Sequence, residues 1–308
     1  MALPVIDIDP LTHQDQEGQE RVARLLDAAC RDHGFFVVTG HGVDLDALAR
    51  LEALARAFFA LPEPEKAQIA MRLGGRAWRG WFPVGGELTY GVPDGKEGIY
   101  FGAERPSDER PMHGPNLFPA RPEGLRDAVL AHLDTMSVLG TRLVAALDRG
   151  LGADGRLSSL VEDPLPLFRI FHYPPGAGEW GVAEHTDYGL LTILHQDEIG
   201  GLQVRGRDGW IDVPPVPGAL VCNIGDMLEK ATGGVYRSTP HRVRSPLDAD
   251  RVSMPYFFDP GWDTKVERLG DGPGADPHRW DHADPHLFEG TYGDYVWSKV
   301  AKVFPDLA

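Results

Sequence analysis

Cysteine is scarce: the 308-residue chain has 2, Cys30 and Cys222, far apart and in no Cys-x-x-Cys pair. That excludes a disulfide framework and a thiolate zinc motif, and it fits a reducing cytoplasm. Basic charge is the second shortage. The 30 Lys and Arg stand against 46 Asp and Glu, a net charge of −16, so the surface as a whole repels phosphate backbones and anionic membranes. Neither nucleic acid nor a membrane is an expected partner. No apolar run reaches the roughly 18 residues of a membrane-spanning helix. No basic-plus-apolar leader opens the chain at Met1-Ala2-Leu3-Pro4, so a soluble, cytoplasmic protein is expected. Polar low-complexity linkers and internal repeats are missing too, which favours one compact unit.

Turn formers are abundant, with 37 Gly and 26 Pro. The first 120 residues read mostly as helix. Val22, Leu25, Leu26 and Ala29 recur at helical spacing within Glu17 to Arg31, Leu45 to Ala60 repeats the pattern, and Glu63-Pro64-Glu65-Lys66 has the proline and acids of a helix start. From Arg76 to Phe118 regularity fades into Gly, Pro and aromatic residues. Leu125 to Leu147 is a long amphipathic helix, and Tyr292 to Val303 predicts a C-terminal helix over the open end of the core. Between them lie short strands: Leu167 to Tyr173, Leu190 to Leu194, Leu202 to Val204, Trp210 to Val213, Ala219 to Asn223, Val235 to Ser238 and Val252 to Phe258. Strands this short and dense predict a mainly β fold with flanking helices, a sandwich or jelly roll.

His185 and Asp187 stand just before the apolar run Leu190 to Leu194, and in extended chain residues i and i+2 point to one side. With the isolated His241 they compose two imidazoles and one carboxylate, the facial triad that holds non-haem Fe(II) and leaves coordination positions open. His-x-Asp spacing alone is weak. His195/Asp197 has it where a strand enters the Gly200-Gly201 turn, and His282/Asp284 has it in a stretch of turn formers that reads as a solvated loop. Context favours His185/Asp187. Arg251 and Ser253 follow His241 and alternate with Val252 and Met254, so guanidinium and hydroxyl share one strand face. An arginine looking into a barrel needs an anion, and a bidentate carboxylate is its natural ligand.

These residues resemble the 2-oxoglutarate and Fe(II)-dependent dioxygenases, in the branch similar to isopenicillin N synthase and the plant flavonoid and gibberellin oxidases. The resemblance runs along nearly the whole chain. Leu3-Pro4-Val5-Ile6-Asp7 and Gly34-Phe35-Phe36-Val37-Val38-Thr39-Gly40-His41-Gly42 match the family's opening, while Phe171-His172-Tyr173-Pro174-Pro175, Gly200-Gly201-Leu202-Gln203-Val204 and Val221-Cys222-Asn223-Ile224-Gly225-Asp226-Met227-Leu228 follow in the family's order. The resemblance implies a distorted double-stranded β-helix, with an N-terminal helix-rich region over 1–120 and the core with its helices over 121–308. It makes His185, Asp187 and His241 the iron ligands and Arg251 with Ser253 the clamp for the distal carboxylate of 2-oxoglutarate. Tyr173 would add a hydroxyl to that carboxylate. His172 departs from the pattern, standing where many relatives carry asparagine, and Lys96-Glu97-Gly98-Ile99-Tyr100 sits where relatives vary with substrate.

The implied reaction consumes O2 and 2-oxoglutarate, releases succinate and CO2, and oxidises an unactivated C–H bond of a small metabolite. Hydroxylation is the default, with desaturation or ring closure as variants. Two other readings use the same residues: an isopenicillin N synthase-like oxidase or ethylene-forming enzyme, and a non-oxidative jelly roll in which the triad holds a structural metal. Trp78-Arg79-Gly80-Trp81-Phe82-Pro83 with Tyr90 is either an aromatic substrate lid or a segment packed on the barrel. As a lid it would place Arg79 and Tyr90 at the substrate. Asn223-Ile224-Gly225-Asp226 reads first as a turn, and second as a contact to substrate or to an iron ligand. His41, between two glycines, reads as structural.

Overall fold

A computed structural model describes residues 2–89, 91–106, 109–274, 276 and 279–303. The chain opens with β1 (Val5–Asp7), α1 (Gln16–Asp32), β2 (Phe35–Thr39), α2 (Leu45–Phe59) and the single turn α3 (Glu63–Lys66). Then come β3 (Gly80–Phe82), β4 (Leu88–Thr89), β5 (Val92–Pro93), β6 (Glu97–Gly102) and the long α4 (Leu125–Leu151). The rest is β7 (Leu165–Tyr173), β8 (Trp180–His185), β9 (Leu191–Gln196), β10 (Leu202–Gly206), β11 (Gly209–Asp212), β12 (Leu220–Ile224), α5 (Asp226–Ala231), β13 (His241–Arg244), β14 (Arg251–Asp259) and α6 (Tyr292–Val303).

The helices begin and end where their local chemistry demands. Asp15 accepts from Gly18 N at 3.0 Å and Asp44 from Asp46 N at 2.9 Å, satisfying amides that the first turns of α1 and α2 leave free. Val22, Leu26, Ala29 and Cys30 bury one face of α1, and Leu48, Leu51, Ala55 and Phe58 one face of α2. Both helices pack on α4, which lies against β14, β9 and β7. At Gly140 the helix comes so close to the sheet that an added Cβ would lie 2.6 Å from the Phe258 ring. A side chain there would force the helix and sheet apart at a penalty of about 1–3 kcal/mol.

Two sheets form the core. The larger runs β1-β2-β12-β9-β14-β7-β6-β3 and the smaller β11-β10-β13-β8, with β4 and β5 as a separate ribbon. Among the described strand pairs only β1 with β2 is parallel, beside an isolated parallel bridge of Ala70 with Trp81. The result is a mainly β molecule with a jelly-roll core and flanking helices, as expected. The irregular stretch from Arg76 contributes more than loop: β6 is buried along its length and pairs with β7, extending the large sheet. The segment Val235 to Ser238, expected as a strand, is not one. Gly233 and Gly234 at φ +64° and +81° keep the chain turning, and Tyr236 N bonds to Thr232 Oγ1 at 3.1 Å instead of to a ladder. The strand begins at His241. Its partner β8 escapes the sequence pattern because Trp180-Gly181-Val182-Ala183-Glu184 offers too few apolar residues.

Candidate active site

The register of the small sheet builds the site. In the β8–β13 ladder His241 is the cross-strand partner of His185, which brings the imidazole centroids to 4.2 Å. Asp187, just past the end of β8, reaches into the same space. Its Oδ1 is 3.9 Å from His185 Nε2 and 3.7 Å from His241 Nε2. The three can offer one ligand atom each to a single ion.

Each ligand is aimed from behind. His185 Nδ1 lies 2.8 Å from Ala183 O and His241 Nδ1 3.2 Å from Thr239 O. A carbonyl only accepts, so both Nδ1 atoms carry the proton and both Nε2 lone pairs are left for a metal. The facing sheet holds the carboxylate: Asn223 Nδ2, from β12, donates to Asp187 Oδ2 at 2.6 Å, and Thr192 Oγ1, from β9, donates to the same oxygen. Oδ1 stays free for the ion. Burial pulls His241 down to about 4, aided by the neighbouring His185, and burial likewise lowers His185 against the pull of Asp187. Burial alone would raise Asp187, but the two imidazoles and the hydrogen bonds from Asn223 and Thr192 outweigh it and hold the carboxyl below its usual range. At neutral pH the site therefore presents two neutral imidazoles and a carboxylate, the protonation states a divalent metal requires. The turn of α5 adds support, with Asp226 N donating to Asp187 O at 2.8 Å. Only glycine fits before it: a Cβ at Gly225 would meet Gly189 O at 2.5 Å. Thus Asn223 and Ile224 end β12 and Gly225 passes the chain directly into α5 at Asp226, while Asn223 also binds a triad residue.

Arg251 lies opposite Tyr173 in the β14–β7 ladder, with its guanidinium 4.5 Å from the Tyr173 ring centroid. The Tyr173 hydroxyl and Ser253 Oγ are 3.3 Å apart. All three are buried. Arg251 Nε donates to Gly200 O, yet Nη1 and Nη2 have no partner among the described residues. Two buried guanidinium nitrogens without acceptors are a costly arrangement unless an anion completes them. A carboxylate beside two hydroxyls answers both nitrogens, so the donor set suits a dicarboxylate cosubstrate as the triad suits iron.

A cavity of about 490 Å³ adjoins His185 and Asp187. Its wall includes Leu167, Arg169, Phe171, Val182, Phe257 and, from α6, Lys299. The C-terminal helix does cover this opening. Arg79, expected near the mouth, is instead buried with Nη2 bonded to Met112 O at 2.8 Å, and it is not on the cavity wall. The residues around it pack as core: Trp78 is buried, and Trp81 Nε1 donates to Glu97 Oε2 at 2.7 Å. The later part of the segment, Glu87, Leu88 and Thr89, does line the cavity. Tyr90 lies outside the described residues.

The competing pairs have other work. His195 binds Glu52 at 3.0 Å, while Asp197 accepts from Arg56 and from Val252 N, each at 2.6 Å, tying α2 to the ends of β9 and β14. His282 is exposed and Asp284 caps the short turn at His286 N. The same spacing recurs at His13/Asp15 and at His132/Asp134. The latter sits on α4, where i and i+2 diverge. Sequence reasoning missed Arg279, whose Nη2 bonds Thr186 Oγ1 at 2.9 Å and Asp226 Oδ1 at 2.8 Å, bolting the C-terminal segment to the triad loop. No pattern in its surroundings marks it. His41 is structural, with Nε2 3.0 Å from Gly218 O.

A jelly roll with a His-Asp-His cluster between its sheets and a buried, uncompleted arginine behind it defines a non-haem iron oxygenase. Family models agree: residues 3–121 match the N-terminal region described as "non-haem dioxygenase in morphine synthesis N-terminal", and residues 164–260 match the 2OG-Fe(II) oxygenase superfamily. The chain is 43% identical to a probable iron/ascorbate oxidoreductase of Dictyostelium discoideum, over 99% of this chain and 95% of that one. It is 34% identical to homoarginine-6-hydroxylase 2-ODD-C23 of Glycine max, over 99% and 98%. Among solved structures, a full-length Neurospora crassa protein in complex with alpha-KG and 5-formyluracil superposes with a TM-score of 0.81 at 26% identity, covering 98% of this chain and 96% of that one. The chain belongs to the 2OG-Fe(II) oxygenase superfamily, in its isopenicillin N synthase-like branch. Iron and 2-oxoglutarate are its cofactor and cosubstrate.

Proposed function

We propose that His185, Asp187 and His241 hold the iron, that Arg251, Ser253 and Tyr173 receive the distal carboxylate of 2-oxoglutarate, and that a small metabolite occupies the adjoining cavity and is oxidised at an unactivated C–H bond. The observation that carries this reading is the unpartnered pair Nη1 and Nη2 of Arg251. Bound iron supplies the redox chemistry of oxygen activation coupled to decarboxylation of the cosubstrate. The protein's own share is placement. Thr192 and Asn223 fix Asp187 so that one oxygen faces the ion, Ala183 O and Thr239 O fix the imidazole tautomers, and α6 with the β4 ribbon narrows the chamber around the reacting C–H bond.

Hydroxylation is the proposed default outcome. The test is succinate formation from 2-oxoglutarate by the Fe(II) protein under a panel of metabolites, with product identified by mass spectrometry. Stimulated succinate release supports the reading; substrate oxidation with no succinate points to the oxidase alternative. The acidic surface further supports a working life without nucleic acid or membrane partners, and no helix among the described residues is long and apolar enough to cross a membrane. Two buried free thiols fit a cytoplasmic setting.

A further inference from the structure

Two cations on the cavity wall have no full answer within the protein. Arg169, from β7, packs its guanidinium against the rings of Tyr100 and Phe257, 4.0 and 4.8 Å from their centroids. Its side chain is 15% exposed. Among the described residues no hydrogen bond reaches its nitrogens, Nε is buried without a partner, and its one ion contact is Nη1 to Glu87 Oε1 at 3.9 Å. Glu87 is engaged elsewhere: Oε1 accepts from the Tyr100 hydroxyl, and Oε2 lies 2.8 Å from Lys96 Nζ. Lys299, on α6, rests on the rings of Tyr188 and Tyr295 at 5.9 and 5.1 Å, and no carboxylate lies within ion-pair distance among the described residues.

Charge balance points the same way. On and behind this wall Glu87 and Asp94 formally cancel Lys96 and Arg169, Asp259 cancels Lys302, and Asp187 with a doubly charged 2-oxoglutarate cancels Fe(II) with Arg251. Lys299 is then in surplus on a wall that is otherwise apolar at Leu88, Leu167, Phe171, Val182, Phe257 and Val296. A planar fork packed against two rings and facing a largely apolar chamber matches a carboxylate carried on an apolar body.

We propose that the substrate is a small carboxylic acid whose carboxylate docks on Arg169, with Lys299 as the second cation drawing it into the chamber. The proposal rests on the reading of this cavity as the substrate chamber of the 2-oxoglutarate site. Arg169 then sets where the chain of the acid lies relative to the iron, and so which carbon is oxidised.

The test is anaerobic calorimetry on the protein loaded with Fe(II) and saturating 2-oxoglutarate, with phenylalanine, leucine, phenylacetate and octanoate as probes, each against its primary amide. At least one acid is expected to bind, its amide roughly tenfold or more weaker, as for loss of a charged hydrogen-bonded pair. Arg169→Gln should weaken the acid by a similar factor and leave the amide unaffected. Arg169→Lys keeps the charge without the fork and should recover part of the loss. Lys299→Gln, on the half-buried helix, should give a smaller loss and a weaker salt dependence, and it serves if the Arg169 variants do not fold. Equal binding of acids and amides, an unchanged acid affinity in Arg169→Gln with Lys299→Gln, or no binding by any acid overturns the proposal. The prior titration with 2-oxoglutarate judges the cosubstrate site separately: its failure refutes the reading of Arg251, whereas its success with silent probes refutes only Arg169.

Discussion

Replacing Arg251 by glutamine separates the needs of the cosubstrate from those of the fold. In the free protein the side chain makes one hydrogen bond, Nε to Gly200 O, and covers the Tyr173 ring, while Nη1 and Nη2 stand unpartnered at 1% exposure. Deleting it forfeits about 1–2 kcal/mol of packing and cation–π energy but relieves two buried donors of their missing acceptors. The net change in stability should stay within roughly 2 kcal/mol. In the complex the same two nitrogens meet a carboxylate out of water, and removing one partner of such a pair costs about 2–5 kcal/mol, or some 30-fold to several thousand-fold in affinity. Anaerobic titration of the Fe(II) protein with 2-oxoglutarate measures the second quantity, and urea unfolding of the metal-free protein the first. An affinity within about threefold of the parent, in a protein that still binds iron, refutes the clamp.

Ser253→Ala should cost about 1 kcal/mol in 2-oxoglutarate affinity, read in the same titration, with iron binding intact. Asn223→Ala leaves Asp187 Oδ2 held by the Thr192 hydroxyl alone, and metal affinity measured with Co(II) should fall roughly 10- to 100-fold while 2-oxoglutarate binding to the metal-saturated protein holds. Asp197→Ala unties α2 and strips an acceptor from Val252 N, so stability should drop by about 1–3 kcal/mol with no change in metal affinity; a lost metal site would reassign the triad. The pH dependence follows from His241, lowered from 6.5 to about 4. Between those values the unfolded chain binds the proton that the folded one refuses, so the metal-free protein should lose stability as pH falls through the window, by on the order of 3 kcal/mol in total. Urea midpoints from pH 7 to 4.5 should show a decline that His241→Asn flattens, and an unchanged slope in that variant would remove His241 as its source.

What was legible in the sequence is what local pattern encodes. The amphipathic faces of α1, α2 and α4 stand out because burial on one side imposes a 3.6-residue period, and Arg251 with Ser253 stands out because a strand imposes a period of two. The helix over the cavity mouth was readable for the same reason. The pairing of His185 with His241 has no such local mark: it is set by the β8–β13 register, and β8 is too polar to announce itself. Arg79 misled because an arginine among aromatic residues in an irregular stretch looks exposed, whereas its guanidinium folds inward onto Met112 O. Arg169 was silent, since one arginine inside an apolar strand carries no sign of the rings that clamp it.

The order of strands in the large sheet sets a timetable for synthesis. Phe35–Thr39 leaves the ribosome early but finds its antiparallel neighbour only when Leu220–Ile224 has been made, and Glu97–Gly102 waits for Leu165–Tyr173. At about 5–20 residues per second, the first of these strands spends roughly ten seconds or more with its apolar face and open edge unclaimed. A nascent chain stopped before residue 220 would expose Phe35-Phe36-Val37-Val38 as a sticky edge. Phe35–Thr39 is thus an apolar strand that waits with one edge unclaimed until most of the chain has been made.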